Sequence, residues 1–150
     1  MLDPTPPYSM APESNTGDGI TLADGLGAVV DTSGQGAGLW SPVSVTTRAD
    51  GSHGLYPHLA MDRAKPGLIA VNAAGRRFVN EAISYHDFVE AMYRSNETVD
   101  TMPAWLICET AFVTKYGLGA IHPESTDLSK HAADGYVAVA DTLEALAEKI

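Results

Sequence analysis

Apolar positions recur with helical spacing in several parts of the chain. Over residues 84–95 they fall at i, i+3, i+4 and i+7, which predicts a helix with one buried face. The last ten residues, 141–150, show similar spacing, and shorter helices are predicted over 20–26 and over 110–116, the latter ended by Gly117. The predicted inward positions are Ile20, Leu22, Ala23 and Leu26, then Tyr85, Phe88, Val89 and Met92, and finally Leu143, Leu146, Ala147 and Ile150.

Short apolar runs predict strands between these helices. Residues 68–72 and 76–80 flank Ala73-Ala74-Gly75, and three connecting residues with glycine last are typical of a bulged hairpin. Residues 103–109 form another run of strand length. The first dozen residues hold four prolines, which predicts an extended lead-in without a core, and the glycine-rich residues 34–38 predict a flexible link.

Composition narrows the class of protein. The 150 residues are 45% hydrophobic and 19% charged, which is ordinary for a soluble globular chain. The net charge of −10 argues against nucleic acid or an anionic membrane as a partner, although solubility alone also accounts for it. No stretch approaches the roughly 20 apolar residues of a membrane span, and the start is not a signal peptide, so we expect a cytoplasmic protein.

Cysteine and histidine usage limits the available chemistry. The single cysteine, Cys108, excludes an internal disulfide, and its apolar neighbours predict a buried structural thiol rather than a nucleophile. The five histidines show no metal-ligating spacing, so no metal site is expected.

Tyr85 is the candidate catalytic residue. Ser84-x-x-Asp87 ahead of an apolar run matches the capping-box pattern, which makes Ser84 the N-cap and Tyr85 the first helical residue. The helix dipole favours negative charge at that end, so a phenol there suits proton abstraction from a weak carbon acid. A tyrosine on an apolar helix face is also ordinary core packing, and spacing alone leaves both interpretations open.

Two consecutive arginines follow the turn at Gly75. One of Arg76 and Arg77 could clamp an anion while the other pairs with Glu81. A solvated hairpin tip is the alternative interpretation of the same pair.

Two segments together resemble the fumarate reductase and 3-ketosteroid dehydrogenase superfamily of flavoproteins. They are NTGDGITLADGLGA at residues 15–28 and PGLIAVNAAGRRFVNEAISYHDFVEAMY at residues 66–93. The resemblance runs from about residue 15 to the end of the chain and includes the late segment GY-x-x-x-A-DTLEALAEKI at residues 135–150. The resemblance implies an α+β fold. Residues 44–150 would be the capping or catalytic domain, incomplete at its C-terminus, and residues 1–43 a linker and short remnant of the α/β FAD-binding domain.

The resemblance also implies a cofactor and its contacts. In relatives the turn that corresponds to Thr16, Gly17, Asp18 and Gly19 lies beside the flavin of FAD. The alternative is that Thr16 or Asp18 serves only as the N-cap of the predicted helix that follows. The chain lacks the GxGxxG turn for the FAD pyrophosphate and the C-terminal segment that contacts the ketone oxygen. We therefore expect the remaining FAD-binding portion to be a partner, and this chain alone to be inactive.

One position distinguishes the subfamilies. Five residues after Asn80, fumarate reductases carry a proton-donating arginine, whereas this chain has Tyr85. This is similar to 3-ketosteroid dehydrogenases, in which the tyrosine takes a substrate proton and flavin N5 takes the hydride. The nearby Phe88, Met92 and Tyr93 suit an apolar ketone or steroid substrate.

The resemblance thus implies FAD-dependent desaturation of a 3-ketosteroid-like cyclic ketone. An enoate reductase similar to fumarate reductase, a ketosteroid dehydrogenase acting at another position, and a non-catalytic binding module are the alternatives. Arg63 is the nearest match to another fumarate-reductase active-site arginine, but its spacing differs by one residue, so no role is assigned to it.

Overall fold

A computed structural model describes residues 8–31, 38–48, 50–59 and 61–150. The chain divides into two compact units, Met1–Leu39 and Trp40–Ile150, and each is described by itself. The sequence-based boundary at residues 43 and 44 stays a prediction. Residues 34–37 of the predicted flexible link over 34–38, and the first seven residues of the predicted lead-in, lie outside the described residues.

The described part of the first unit contains one short helix, α1, at Asp18–Asp24. Gly17 precedes it with a φ of 86°, a conformation that glycine adopts without steric cost, and no side chain caps the helix. The predicted N-cap at Thr16 or Asp18 is therefore wrong. The predicted inward face is also wrong, since no residue of α1 is buried and Leu22 is 73% exposed.

The second unit begins with an antiparallel hairpin of β1, Val43–Thr47, and β2, His53–Pro57. Its turn is closed by Arg48, whose backbone N–H donates to the Ser52 carbonyl over 2.8 Å. The hydrophobic pattern of the sequence did not predict this hairpin.

A second two-stranded antiparallel sheet joins β3, Leu68–Val71, to β4, Trp105–Cys108. The predicted strand within residues 103–109 is confirmed as β4. The predicted strand over residues 76–80 is wrong, since only a single bridge joins Val71 to Arg77. The Glu81 carboxylate accepts the Ala70 N–H over 2.9 Å, so that backbone donor is not available to a third strand.

The described residues of the second unit also form four helices: α2 at Tyr85–Asn96, α3 at Thr110–Tyr116, α4 at Ser129–Ala133 and α5 at Leu143–Ala147. The predicted helix over residues 110–116 is confirmed, and Gly117 ends it with a φ of 75°. A Cβ at Gly117 would lie 2.6 Å from the Ile121 carbonyl oxygen, so the turn after α3 requires glycine.

The buried apolar residues of the second unit lie mostly on β3, α2 and α3. They are Leu68, Ala70, Val71, Phe88, Val89, Ala91, Phe112, Val113 and Ile121. α5 is shorter than predicted and contributes none of them. Leu143 is 71% exposed and Ile150 is 43% exposed, so their predicted inward placement is wrong.

The described elements therefore mix short helices with two small antiparallel sheets. Within the described ranges, no helix is long and apolar enough to cross a membrane.

Candidate active site at the start of α2

The predicted cap of α2 is present. Ser84 Oγ accepts the backbone N–H of Asp87 over 3.1 Å and donates to Asp87 Oδ2 over 2.7 Å. The helix consequently begins at Tyr85, as the capping-box pattern predicts. The Asp87 carboxylate in the first turn also complements the positive end of the helix dipole.

Tyr85 lies at the edge of the apolar face of α2. Phe88 and Val89 on that face are buried, with exposures of 2% and 7%, whereas Tyr85 and Met92 are half-buried. No hydrogen bond joins the Tyr85 side chain to another residue in the described part of the chain. The phenol is thus placed by the helix that carries it, and its hydroxyl is not committed to a described partner.

Trp40 packs against the same helix. Its backbone N–H donates to Nδ1 of His86 over 3.2 Å, and its ring meets the Tyr93 ring edge-on at 5.7 Å between centroids. Since His86 Nδ1 accepts this bond, the neutral ring carries its proton on Nε2, which lies 3.4 Å from Glu90 Oε1. This contact anchors the residue that follows Tyr85.

Glu81 is a buried carboxylate four residues before Tyr85. Arg77 donates to it through Nε over 2.9 Å and through Nη2 over 2.5 Å, and the Ala70 N–H also donates to it. Burial alone would raise the pKa of Glu81, but these hydrogen bonds outweigh burial and lower it. The predicted pairing of one arginine with Glu81 is confirmed for Arg77. Arg76 is exposed, and its predicted role as an anion clamp stays a prediction.

Arg63 is a buried residue to which the sequence assigned no role. Its side chain is 2% exposed, and its Nε donates to the His58 carbonyl over 2.8 Å. Nη1 donates to the Glu81 carbonyl, and the guanidinium carbon lies 4.9 Å from the centroid of the Phe88 ring. The only sequence signal for this residue was its near match to a family arginine. No role was assigned to it because the spacing differs by one residue.

A second buried network lies beside Arg63. His58 bonds through Nδ1 to Asp62 Oδ2 over 2.7 Å and through Nε2 to Ser44 Oγ over 2.9 Å. The Ser44 hydroxyl lies 2.6 Å from the hydroxyl of Tyr136. Asp62 also accepts the Gly119 N–H over 3.0 Å. Burial alone would raise the pKa of Asp62, but the hydrogen bonds and charge of His58 outweigh it and lower the pKa to about 2.

The order Ser44, His58 and Asp62 is that of a hydrolase triad, but the surroundings do not support that chemistry. An acyl-transfer site needs free N–H donors for an oxyanion. Two N–H groups that contact this network are occupied, because Gly119 donates to Asp62 and Ala120 donates to the Tyr136 hydroxyl over 2.9 Å. This network therefore ties the β1–β2 hairpin to the turn after α3.

Cys108 is half-buried at the end of β4. Burial, with a smaller contribution from the Asp62 charge, raises the pKa of the thiol to about 11. The group is therefore a neutral thiol near pH 7, which agrees with the predicted structural role. Among the described residues, no group of three or more acidic, histidine or cysteine side chains could hold a metal ion.

The predicted flavin contacts lie in the first unit. Thr16, Gly17, Asp18 and Gly19 are all exposed, and a Cβ at either glycine would meet nothing within 4 Å. Thr16 Oγ1 donates to Asp18 Oδ1 over 2.7 Å. The Asp18 charge disfavours a phosphate at this turn, whereas an open backbone fits hydrogen bonding to an uncharged polar edge of a flavin. The turn thus fits one edge of FAD and not the whole cofactor.

Comparison with known proteins agrees with this picture. Residues 2–146 match the protein-family model described as FAD binding domain, which indicates FAD as the cofactor. The chain is 38% identical over 134 residues to a 4-oxocyclohex-2-ene-1-carboxylate 5-dehydrogenase of Sinomonas cyclohexanicum, covering 89% of this chain and 22% of that protein. It is 32% identical over 151 residues to a 3-oxosteroid 1-dehydrogenase of Mycolicibacterium smegmatis, covering 97% of this chain and 25% of that protein.

A solved structure is similar as well. It is the 3-ketosteroid delta1-dehydrogenase from Sterolibacterium denitrificans in complex with 1,4-androstadiene-3,17-dione, with a TM-score of 0.67 and 32% identity. The match covers 95% of this chain and 25% of that one. The predicted resemblance to 3-ketosteroid dehydrogenases is confirmed, and the chain spans about a quarter of the length of these relatives.

Proposed function

Because the chain belongs to the FAD binding domain family, we propose that it is part of an FAD-dependent oxidoreductase that desaturates a 3-ketosteroid-like cyclic ketone. The activities of its relatives support this, since they are dehydrogenases of oxosteroids or of 4-oxocyclohexane- and 4-oxocyclohexenecarboxylates. The observation that carries the proposal is Tyr85, a half-buried phenol with no described hydrogen-bond partner at the capped start of α2.

Tyr85 is the base in this proposal. Its oxygen, as phenolate, takes the proton from the carbon next to the ketone, and the N-terminal end of α2 stabilises the negative charge before the transfer. When bound, FAD supplies the acceptor for the hydride that leaves the adjacent carbon. The two C–H bonds are thus replaced by a C=C bond conjugated with the ketone, and Tyr85 ends protonated.

Thr16, Gly17, Asp18 and Gly19 contact the flavin in this proposal. Two observations support this contact: the backbone of the turn is open, and the match to the family model includes these four residues. Residues 44–150 act as the capping domain, and the remaining FAD-binding portion is the partner that completes the site.

The arginines do not favour a dicarboxylate substrate. A clamp for fumarate needs uncommitted guanidinium groups near the base. Arg77 is paired with Glu81, and Arg63 donates to two backbone carbonyls. The enoate reductase alternative therefore has less support than the ketone dehydrogenase.

A chimera tests the proposed function. This chain replaces the aligned quarter of the M. smegmatis 3-oxosteroid 1-dehydrogenase, and the purified protein is mixed anaerobically with either a 3-ketosteroid or 4-oxocyclohexanecarboxylate. We expect visible flavin absorbance that bleaches with at least one of the two ketones. A chimera that retains flavin but bleaches with neither would contradict the substrate class. A chimera that folds without flavin would contradict the placement of this chain beside the cofactor.

A further inference from the structure

Arg63 is unusual because its cation is buried without a carboxylate partner. Within the described residues no acidic side chain lies within 4.0 Å of its guanidinium. The adjacent Asp62 carboxylate is bound instead by His58, by Gly119 and by the backbone N–H of Arg63. A buried cation is costly unless it is hydrogen-bonded. The hydrogen bonds that Arg63 makes therefore indicate what it does in this structure.

Those contacts fall on both sides of Tyr85 along the chain. Glu81, whose carbonyl accepts Nη1, is four residues before the tyrosine. Phe88, whose ring lies under the guanidinium, is three residues after it and belongs to the first helical turn. The Phe88 N–H in turn donates to the Ser84 carbonyl over 2.9 Å, which closes that turn.

The third contact of Arg63 connects these residues around Tyr85 to the buried network of Ser44, His58 and Asp62. Arg63 Nε donates to the His58 carbonyl, and the His58 ring is fixed by Ser44 and Asp62. The guanidinium therefore joins the β2 end of the hairpin to the start of α2. A burial of 98% and bonds to carbonyl oxygens exclude direct contact with a substrate anion.

We propose that Arg63 is a positioning residue for Tyr85. It holds the segment before α2 and the first turn of α2 in one fixed arrangement, so that the tyrosine hydroxyl keeps its place although no described residue binds it. The effect on turnover rests on the proposed function, whereas the effect on α2 does not.

The first test uses the whole chain and needs no activity. Native-state amide hydrogen exchange is compared between the unaltered chain, Arg63→Met, Arg63→Lys and Arg48→Met. Arg48 is the matched control because it also donates to a backbone carbonyl, that of His53, but at the exposed turn of the first hairpin. Removing the buried donor leaves the Glu81 carbonyl unsatisfied, which frees the first turn of α2 to open.

We expect Arg63→Met to accelerate exchange at the N–H groups of Asp87 and Phe88 by about tenfold or more, with a much smaller change in β3 and β4. Arg63→Lys restores part of the protection, because its ammonium reaches one carbonyl, and Arg48→Met leaves α2 unchanged. Equal acceleration in the helix and the sheet, or none in the helix, would overturn the proposal. If Arg63→Met does not fold, Arg63→Lys is compared with Arg48→Met instead. The same pattern of faster exchange in α2 than in the sheet is then expected, with a smaller difference.

The second test uses the flavin-containing chimera described above. Arg63→Lys is expected to lower kcat by about tenfold with KM within about twofold of the unaltered chimera, because the substrate surface is unchanged. An unchanged kcat, or a loss confined to KM, would contradict the positioning role. If the unaltered chimera did not oxidise either ketone, the proposed function would fail, while the exchange pattern would still decide whether Arg63 holds α2.

Discussion

The two helix starts that the sequence associates with function are built in opposite ways. α2 begins with a side-chain cap from Ser84, next to the buried Glu81 and Arg63. α1 begins after Gly17 with no side-chain cap, and none of its residues is buried. The start of α2 is held by contacts within its own unit. The start of α1 has no buried residue or side-chain cap in its unit.

The difference separates the two kinds of chemistry that are proposed for them. A base must keep its hydroxyl within a few tenths of an ångström of a productive position, which requires a packed and hydrogen-bonded surrounding. A turn that contacts one edge of a cofactor mainly needs accessible backbone groups, and glycines supply them. The buried start suits the first task and the exposed start suits the second.

The largest effect on stability is expected from Glu81. The change Glu81→Ala removes the acceptor of the buried Ala70 N–H and the partner of Arg77, which costs about 2–3 kcal/mol of unfolding free energy. The matched change at the exposed start, Asp18→Ala, is expected to alter it by less than about 0.5 kcal/mol. Urea unfolding followed by far-ultraviolet circular dichroism measures both, since both units contain helix. Equal losses would show that the two starts do not differ as described.

A smaller effect is expected from the cap itself. Ser84→Ala removes the acceptor of the Asp87 N–H and should cost about 1 kcal/mol. Thr16→Ala removes only an exposed bond to Asp18, so we expect a change below about 0.5 kcal/mol. Helical circular dichroism during urea titration gives both values. A cost at Thr16 as large as that at Ser84 would mean that α1 has a side-chain cap after all.

Local sequence signals predicted the elements that local contacts determine. α2 and its cap follow from Ser84, Asp87 and the apolar spacing, and α3 follows from its apolar positions and Gly117. The pairing of Arg77 with Glu81 also joins residues only four apart. Such contacts need no knowledge of the rest of the fold.

Long-range contacts account for the errors and omissions. The predicted hairpin partner of β3 fails because Glu81 takes the Ala70 N–H from eleven residues away. The sequence did not predict the β1–β2 hairpin, although Asp50-Gly51 is a typical hairpin turn. The residues around this turn are mostly polar, and such a run is also typical of a loop. The Asp62 bond to Gly119 spans 57 residues and the Ser44 bond to Tyr136 spans 92, so no local sequence pattern predicts them.

The candidate site itself was predicted only in part. The capping box put Tyr85 at the first helical position, but the resemblance supplied its proposed role as a base. Nothing in the spacing revealed that the buried Arg63 contacts the chain on both sides of that tyrosine.

The most direct test of the central claim changes the phenol alone. In the flavin-containing chimera, Tyr85→Phe is compared with Tyr116→Phe, a half-buried tyrosine of α3 that lies outside the proposed site. Loss of the base should lower the rate of flavin reduction by the ketone by about 10²–10⁴-fold in the Tyr85 variant, with flavin content unchanged. The Tyr116 variant should reduce its flavin at the unaltered rate. A Tyr85→Phe chimera that reduces its flavin as fast as the Tyr116 variant would contradict the assignment of Tyr85 as the base.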